Sequence, residues 1–89
     1  MDKELLDQAE KLARLLLTPE QISALLGLNG EQEAEFSNPF SETGRMYRRV
    51  LAERAARLHE VTLRLAEVGS PSAIADANEF LRTAQTAIE

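Results

Sequence analysis

Cysteine and tryptophan are absent from this 89-residue chain, histidine occurs once and proline three times. Without a thiol there is no disulfide framework, no thiolate nucleophile and no zinc site of the usual kind, and a reducing compartment suits such a chain. Aromatic side chains are scarce, with Phe36, Phe40, Tyr47 and Phe80 the whole stock. Ordering the chain costs on the order of 130 kcal/mol at about 1.5 kcal/mol per residue, and a domain this small buries only about 60–65% of the surface its unfolded chain exposes. A modest core follows, and self-association is expected. The longest apolar runs are Leu15 to Leu17 and similar short stretches, far below the roughly 20 residues that span a bilayer. Lys3 and Glu4 do not introduce the apolar stretch of a signal peptide, so a soluble, unprocessed, cytoplasmic protein without membrane contact is expected.

Charge is unevenly spread. The net value of −5 argues against a general nucleic-acid coat, because non-specific affinity comes mainly from Lys and Arg neutralising phosphates. Residues 1–40 carry three bases and eight acids, residues 41–69 six and four, and residues 70–89 one and three. Basic charge is therefore concentrated in the middle.

The periodicity predicts an all-α domain spanning residues 1–89, with no strand. Leu5, Ala9, Leu12 and Leu16, widened by Leu6, Ala13 and Leu17, define an amphipathic first helix over about 3–17, with Asp2 as cap. Thr18 and Gln21 form a capping box, Pro19 occupies the first helical position where its missing N–H costs nothing, and Gly27 ends that helix in a left-handed turn. Ile22, Leu25 and Leu26 share one face. Asn29 with Gln32 caps a short acidic third helix reaching toward Phe36. Ser37-Asn38-Pro39 and Ser41-Glu42-Thr43-Gly44 are turn chemistry, which places a hinge there. From about Thr43 the longest helix begins, with Tyr47, Leu51, Ala55, Leu58, Val61 or Thr62, Leu65 and Val68 as its seam. Gly69-Ser70-Pro71 stops it and starts a last helix carrying Ile74, Ala77, Leu81, Ala84 and Ile88. Two helices so joined make an antiparallel hairpin over 41–89, following a helix-turn-helix-like subregion over 1–40.

The Thr18–Leu28 element fits the first half of a helix-turn-helix, with Ser23 as the small residue where the helices cross. Six residues after Gly27, where the second helix of that motif buries an apolar side chain, stands Glu33, and Glu31, Gln32 and Glu35 are its neighbours. Facing phosphates, these would repel. The other reading is a short helical corner that packs Phe36 into the core. Arg45, Arg48 and Arg49, with Arg54 and Arg57 further on, form the one cluster suited to phosphate, whose oxygens match the guanidinium fork. The alternative is a solvated helix face paired with Glu42 and Glu53. His59 stands between Leu58 and Glu60 with no Cys or Asp beside it, and reads as an ordinary side chain rather than a base or ligand. Glu31, Glu33 and Glu35 point apart at two-residue spacing and lack a calcium-loop pattern, and no Gly-rich phosphate cradle occurs. No catalytic residue, metal, cofactor or small-molecule substrate is expected. Leu58, Leu65, Ile74 and Leu81 belong to wide stripes that serve as core or, on an exposed flank, as a subunit contact.

Leu17–Leu28, Gly44-Arg45-Met46-Tyr47-Arg48-Arg49 and Arg64-Leu65-Ala66-Glu67-Val68-Gly69-Ser70-Pro71-Ser72-Ala73 together resemble a family of small phage and prophage proteins, the helix-turn-helix small subunit of the DNA-packaging terminase. The resemblance implies an amino-terminal DNA-recognition unit, a hairpin that assembles subunits into a ring, and delivery of DNA to a large ATPase and nuclease subunit in a bacterial host cytoplasm. Its corner corresponds to Ile22, Ser23, Leu26, Gly27 and Leu28, and its basic helix start to Arg45, Tyr47, Arg48 and Arg49. Glu33 departs from the pattern. The expected function is thus a non-enzymatic packaging adaptor that binds DNA through Arg45, Arg48, Arg49 and Arg57 and self-assembles through Leu58, Leu65, Ile74 and Leu81. The rival expectation is an acidic helical protein-interaction module with no nucleic-acid role.

Overall fold

The computed structural model describes residues 1–89 as five α-helices: α1 (Lys3–Ala13), α2 (Pro19–Leu26), α3 (Gly30–Ala34), α4 (Glu42–Glu67) and α5 (Pro71–Ala87). A single 3-10 turn, Glu35–Ser37, follows α3. The fold is all-α, with a helix-turn-helix-like corner near the amino end and a long helix on whose second half α5 packs. Two compact units divide it, Met1–Arg54 and Ala55–Glu89, so that α4 contributes to both.

Local chemistry sets most helix ends. Asp2 accepts the Leu5 N–H at 2.8 Å and caps α1. At α2 the capping box is complete, the Thr18 hydroxyl accepting from the Gln21 N–H (3.2 Å) while the Gln21 side chain accepts from the Thr18 N–H (2.9 Å). Asn29 and Gln32 repeat the arrangement at α3. Such reciprocal bonds satisfy amides that have no partner inside the helix. Gly27 takes φ +68°, and the Leu28 N–H reaches back to the Ser23 carbonyl at 3.0 Å, closing α2. Ser70 precedes α5 as expected, but its hydroxyl makes no capping bond.

Two boundaries differ from the periodicity. α1 stops at Ala13 rather than about Leu17, because the chain tightens through Leu15 N–H to Leu12 C=O and Leu16 N–H to Ala13 C=O, and Leu16 then turns left-handed at φ +63°. Its apolar spacing continues through the break, which is why the sequence reads as unbroken helix. The expected hinge is instead a fastened turn. The Ser41 hydroxyl donates toward the Glu35 and Asn38 carbonyls (2.7 and 3.0 Å) and accepts the Gly44 N–H (2.9 Å), and the Asn38 side chain accepts the Phe40 N–H (3.0 Å).

The core lies wholly in the first unit, where Ala9, Ala13, Ile22, Phe36, Met46 and Val50 are buried among partly covered Leu6, Leu12, Leu17, Leu26, Leu28 and Tyr47. Phe36 meets Tyr47 edge to face at 5.3 Å, and the Tyr47 hydroxyl donates to the Leu17 carbonyl at 2.9 Å. Phe36 fills the place that Glu33, half-buried, does not. The second unit has no such core. Ala73 is its one buried residue, with Thr62, Ala66, Ser70, Ala77 and Phe80 half-buried and His59 stacked on Phe80 at 3.7 Å. The hairpin closes on these small side chains and on one aromatic stack, rather than on the leucine and valine seam.

Candidate nucleic-acid interface and assembly surface

The first turns of α4 are held by the Ser41 contacts and by Thr43, whose hydroxyl donates to the Glu35 carboxylate at 3.1 Å. Met46 and Val50 anchor one side of the helix in the core, which leaves Arg45, Arg48 and Arg49 exposed. Their fates differ. Arg49 is engaged in a closed square of ion pairs: it contacts Glu10 at 2.7 Å and Glu53 at 3.1 Å, and Arg14 contacts the same two carboxylates at 3.1 and 3.2 Å. Each carboxylate gives one oxygen to each guanidinium. The square joins α1 to α4. Hydrogen bonds from Arg49 first and Arg14 next hold the Glu10 carboxyl below its usual range, and Arg49 does the same for Glu53, while both guanidinium pKa values are raised chiefly by Glu10.

Arg45 and Arg48 have no carboxylate within ion-pair distance, whereas Arg57 and Arg64 both reach Glu60, and Arg82 pairs with Glu79. Arg54 is half-buried with its Nε unpartnered. Arg45 and Arg48 are therefore the exposed arginines without a partner, and their three-residue spacing puts them on one side of the helix. Arg45 also borders a shallow groove between α1 and α4 that Asp7, Glu10 and Glu42 line, so local acids temper its charge. Arg57 belongs to the second unit. Of the two carboxylates in the alternative reading of the cluster, Glu53 pairs with Arg49, while Glu42 makes no ion pair and Glu10 does. The i,i+4 spacing of Arg49 and Glu53 is legible in the sequence, but nothing local announces Glu10, 39 residues away.

The helix-turn-helix-like corner keeps its expected form up to Leu28. Ser23 is buried, its hydroxyl without a partner, and Ile22 is fully enclosed. The helix that follows is only five residues long, about 7.5 Å at 1.5 Å per residue. Glu31, Glu33 and Glu35 crowd it and the turn after it. A helix so short and acidic offers a groove neither length nor positive charge.

In the second unit Leu58, Leu65, Ile74 and Leu81 are all exposed, at 42–58%, as are Val61, Leu63, Val68 and Ile88. No helix is long and apolar enough to cross a membrane. No protein-family profile, no curated protein and no solved structure matches the chain.

Proposed function

We propose that the chain is a non-enzymatic DNA-binding adaptor of the terminase small-subunit kind, which contacts DNA through the start of α4, assembles through the α4–α5 hairpin, and hands DNA to a larger ATPase and nuclease partner. The observation that carries the DNA part is the pair Arg45 and Arg48, exposed and free of carboxylate partners while Arg14, Arg49, Arg57, Arg64 and Arg82 are all paired. Free guanidinium groups contact phosphate without first breaking an ion pair. Arg49 is available to phosphate only by exchanging Glu10 and Glu53, and Arg57 by exchanging Glu60, so both rank behind the free pair. Base reading by α3 is not part of the proposal.

A duplex titration across a range of salt tests it. Affinity falls as salt rises, with the logarithmic slope reduced by about 2 when Arg45 and Arg48 are both replaced by Ala, at roughly 0.9 per phosphate contact. Absence of binding at low salt removes the DNA role. A second reading, an acidic protein-interaction module, draws on the three glutamates of residues 31–35 and on Phe40, 84% exposed at the tip of its turn. Under it, the mass of the protein is unchanged by added DNA.

A further inference from the structure

The geometry points to a second phosphodiester site, formed by Arg14 and Arg49 and closed in the free protein by the carboxylate of Glu53. It rests on the DNA reading above and adds to it a contact that the chain itself holds in check.

The square of ion pairs has a regular division of donors. Nη2 of Arg14 and Nη2 of Arg49 both meet Glu10, at 3.1 and 2.7 Å, and the two Nη1 atoms both meet Glu53, at 3.2 and 3.1 Å. Two guanidinium groups from different helices are thus held side by side, each turning one nitrogen toward each carboxylate. Removing either carboxylate leaves one N–H donor from each arginine facing the same place. What fits there is a monoanion with two terminal oxygens. A phosphodiester is such a group: its charge and its pair of non-bridging oxygens repeat those of a carboxylate, and the guanidinium fork suits both.

The two carboxylates are not equivalent. The Glu10 side chain is 32% exposed against 46% for Glu53, and Glu10 makes the shortest of the four contacts. Glu10 therefore keeps the two arginines together, while Glu53 occupies the place that an incoming phosphate takes. Exposed ion pairs are weak, so Glu53 is exchangeable, at a cost in affinity for DNA.

Position links this site to the free arginines. Arg45 and Arg49 are four residues apart on α4, so they share a side of the helix about 6 Å apart along its axis. Both line the shallow groove between α1 and α4. A strand held at Arg45 continues within reach of Arg49 and Arg14. The contact is to backbone alone, and it adds affinity without sequence preference.

The test repeats the duplex titration over a range of salt on the full chain, with circular dichroism as the check on folding. Wild type is compared with Glu53→Ala, with Glu53→Ala in an Arg14→Ala background, and with Asp7→Ala. Asp7 lines the same groove and measures what removing any nearby negative charge does. Glu53→Ala is expected to bind duplex about tenfold more tightly and to steepen the logarithmic salt slope by about 1, at roughly 0.9 per phosphate. Asp7→Ala is expected to gain less than about threefold, its charge being screened and unpaired, and Arg14→Ala is expected to bring the Glu53→Ala gain down to that level. A Glu53→Ala chain no tighter than Asp7→Ala, or a gain that survives Arg14→Ala, overturns this site and leaves contact at Arg45 and Arg48 in place. Inorganic phosphate at matched ionic strength is expected to leave the gain intact; loss of the gain would assign the site to the free ion and overturn the backbone contact. Duplex unbound by every chain at low salt removes the DNA reading itself, and this site with it. Should Glu53→Ala lose helix, Glu53→Gln replaces it with the same outcomes.

Discussion

Gly44 stands against the backbone of the turn before α4. A β-carbon there would lie 1.9 Å from the Asn38 carbonyl oxygen and 2.8 Å from its carbon, and backbone cannot rotate away as a side chain end can. Gly44→Ala is expected to cost about 2 kcal/mol, overpacking outweighing the helix propensity gained. Gly30, at the start of α3, faces open space, so Gly30→Ala should stabilise by about 0.5 kcal/mol. Urea denaturation of the two variants checks the contrast; equal effects would contradict the fastened turn. Tyr47 is bound differently, by one hydroxyl bond to Leu17 and by burial that raises its phenol pKa. Tyr47→Phe keeps the ring on Phe36 and is expected to cost about 1 kcal/mol by the same measurement.

Capping was legible in the sequence because it is written within four residues, and Thr18 with Gln21 and Asn29 with Gln32 fold as their spacing says. The end of α1 was not. Leucines 15 to 17 continue the apolar pattern whether or not the helix does, and nothing local announces the left-handed turn at Leu16 or the Leu17 carbonyl beyond it that accepts from Tyr47, 30 residues on. The candidate site divides the same way. Arginines clustered at the start of the long helix were visible, but which of them stay free depends on Glu10 reaching Arg49 from another helix.

Elements are tied by that square of charges, which joins α1 to α4 in addition to the core that Ala9 and Ala13 share with Met46 and Val50. Both carboxyls bind protons less readily in the folded chain than when free, so the stabilisation is present above the ordinary glutamate range. It is lost as pH falls through the lowered values of Glu10 and Glu53. Glu53 is exposed and Glu10 half-buried, so salt screens the square. Thermal unfolding midpoints should therefore drop on acidification, and the drop should shrink in Glu10→Gln and in high salt. A Glu10→Gln profile identical to wild type would place the acid sensitivity elsewhere. The hairpin's helices, their polarity and their turn followed from Gly69-Ser70-Pro71 and the apolar rhythm, while the face chosen for closure did not. Thr62, Ala66, Ala73 and Ala77 are covered there with Phe80, and the leucine, isoleucine and valine side chains are left outside.

At the scale of the molecule, one unit carries the core and the free arginines, and the other carries apolar surface in excess of its own needs. Under the proposed DNA role, a net charge of −5 would confine contact to a small site with few phosphates per subunit, strengthened where subunits act together. Glu31, Glu33 and Glu35 would repel phosphate, so α3 takes no part in that proposal. The most direct test is native mass spectrometry of the whole chain with and without a short DNA duplex. A multiple of the 9.9 kDa subunit is expected, gaining the mass of the duplex at low salt and failing to gain it when Arg45 and Arg48 are Ala. A 9.9 kDa species unchanged by the duplex would contradict both expectations.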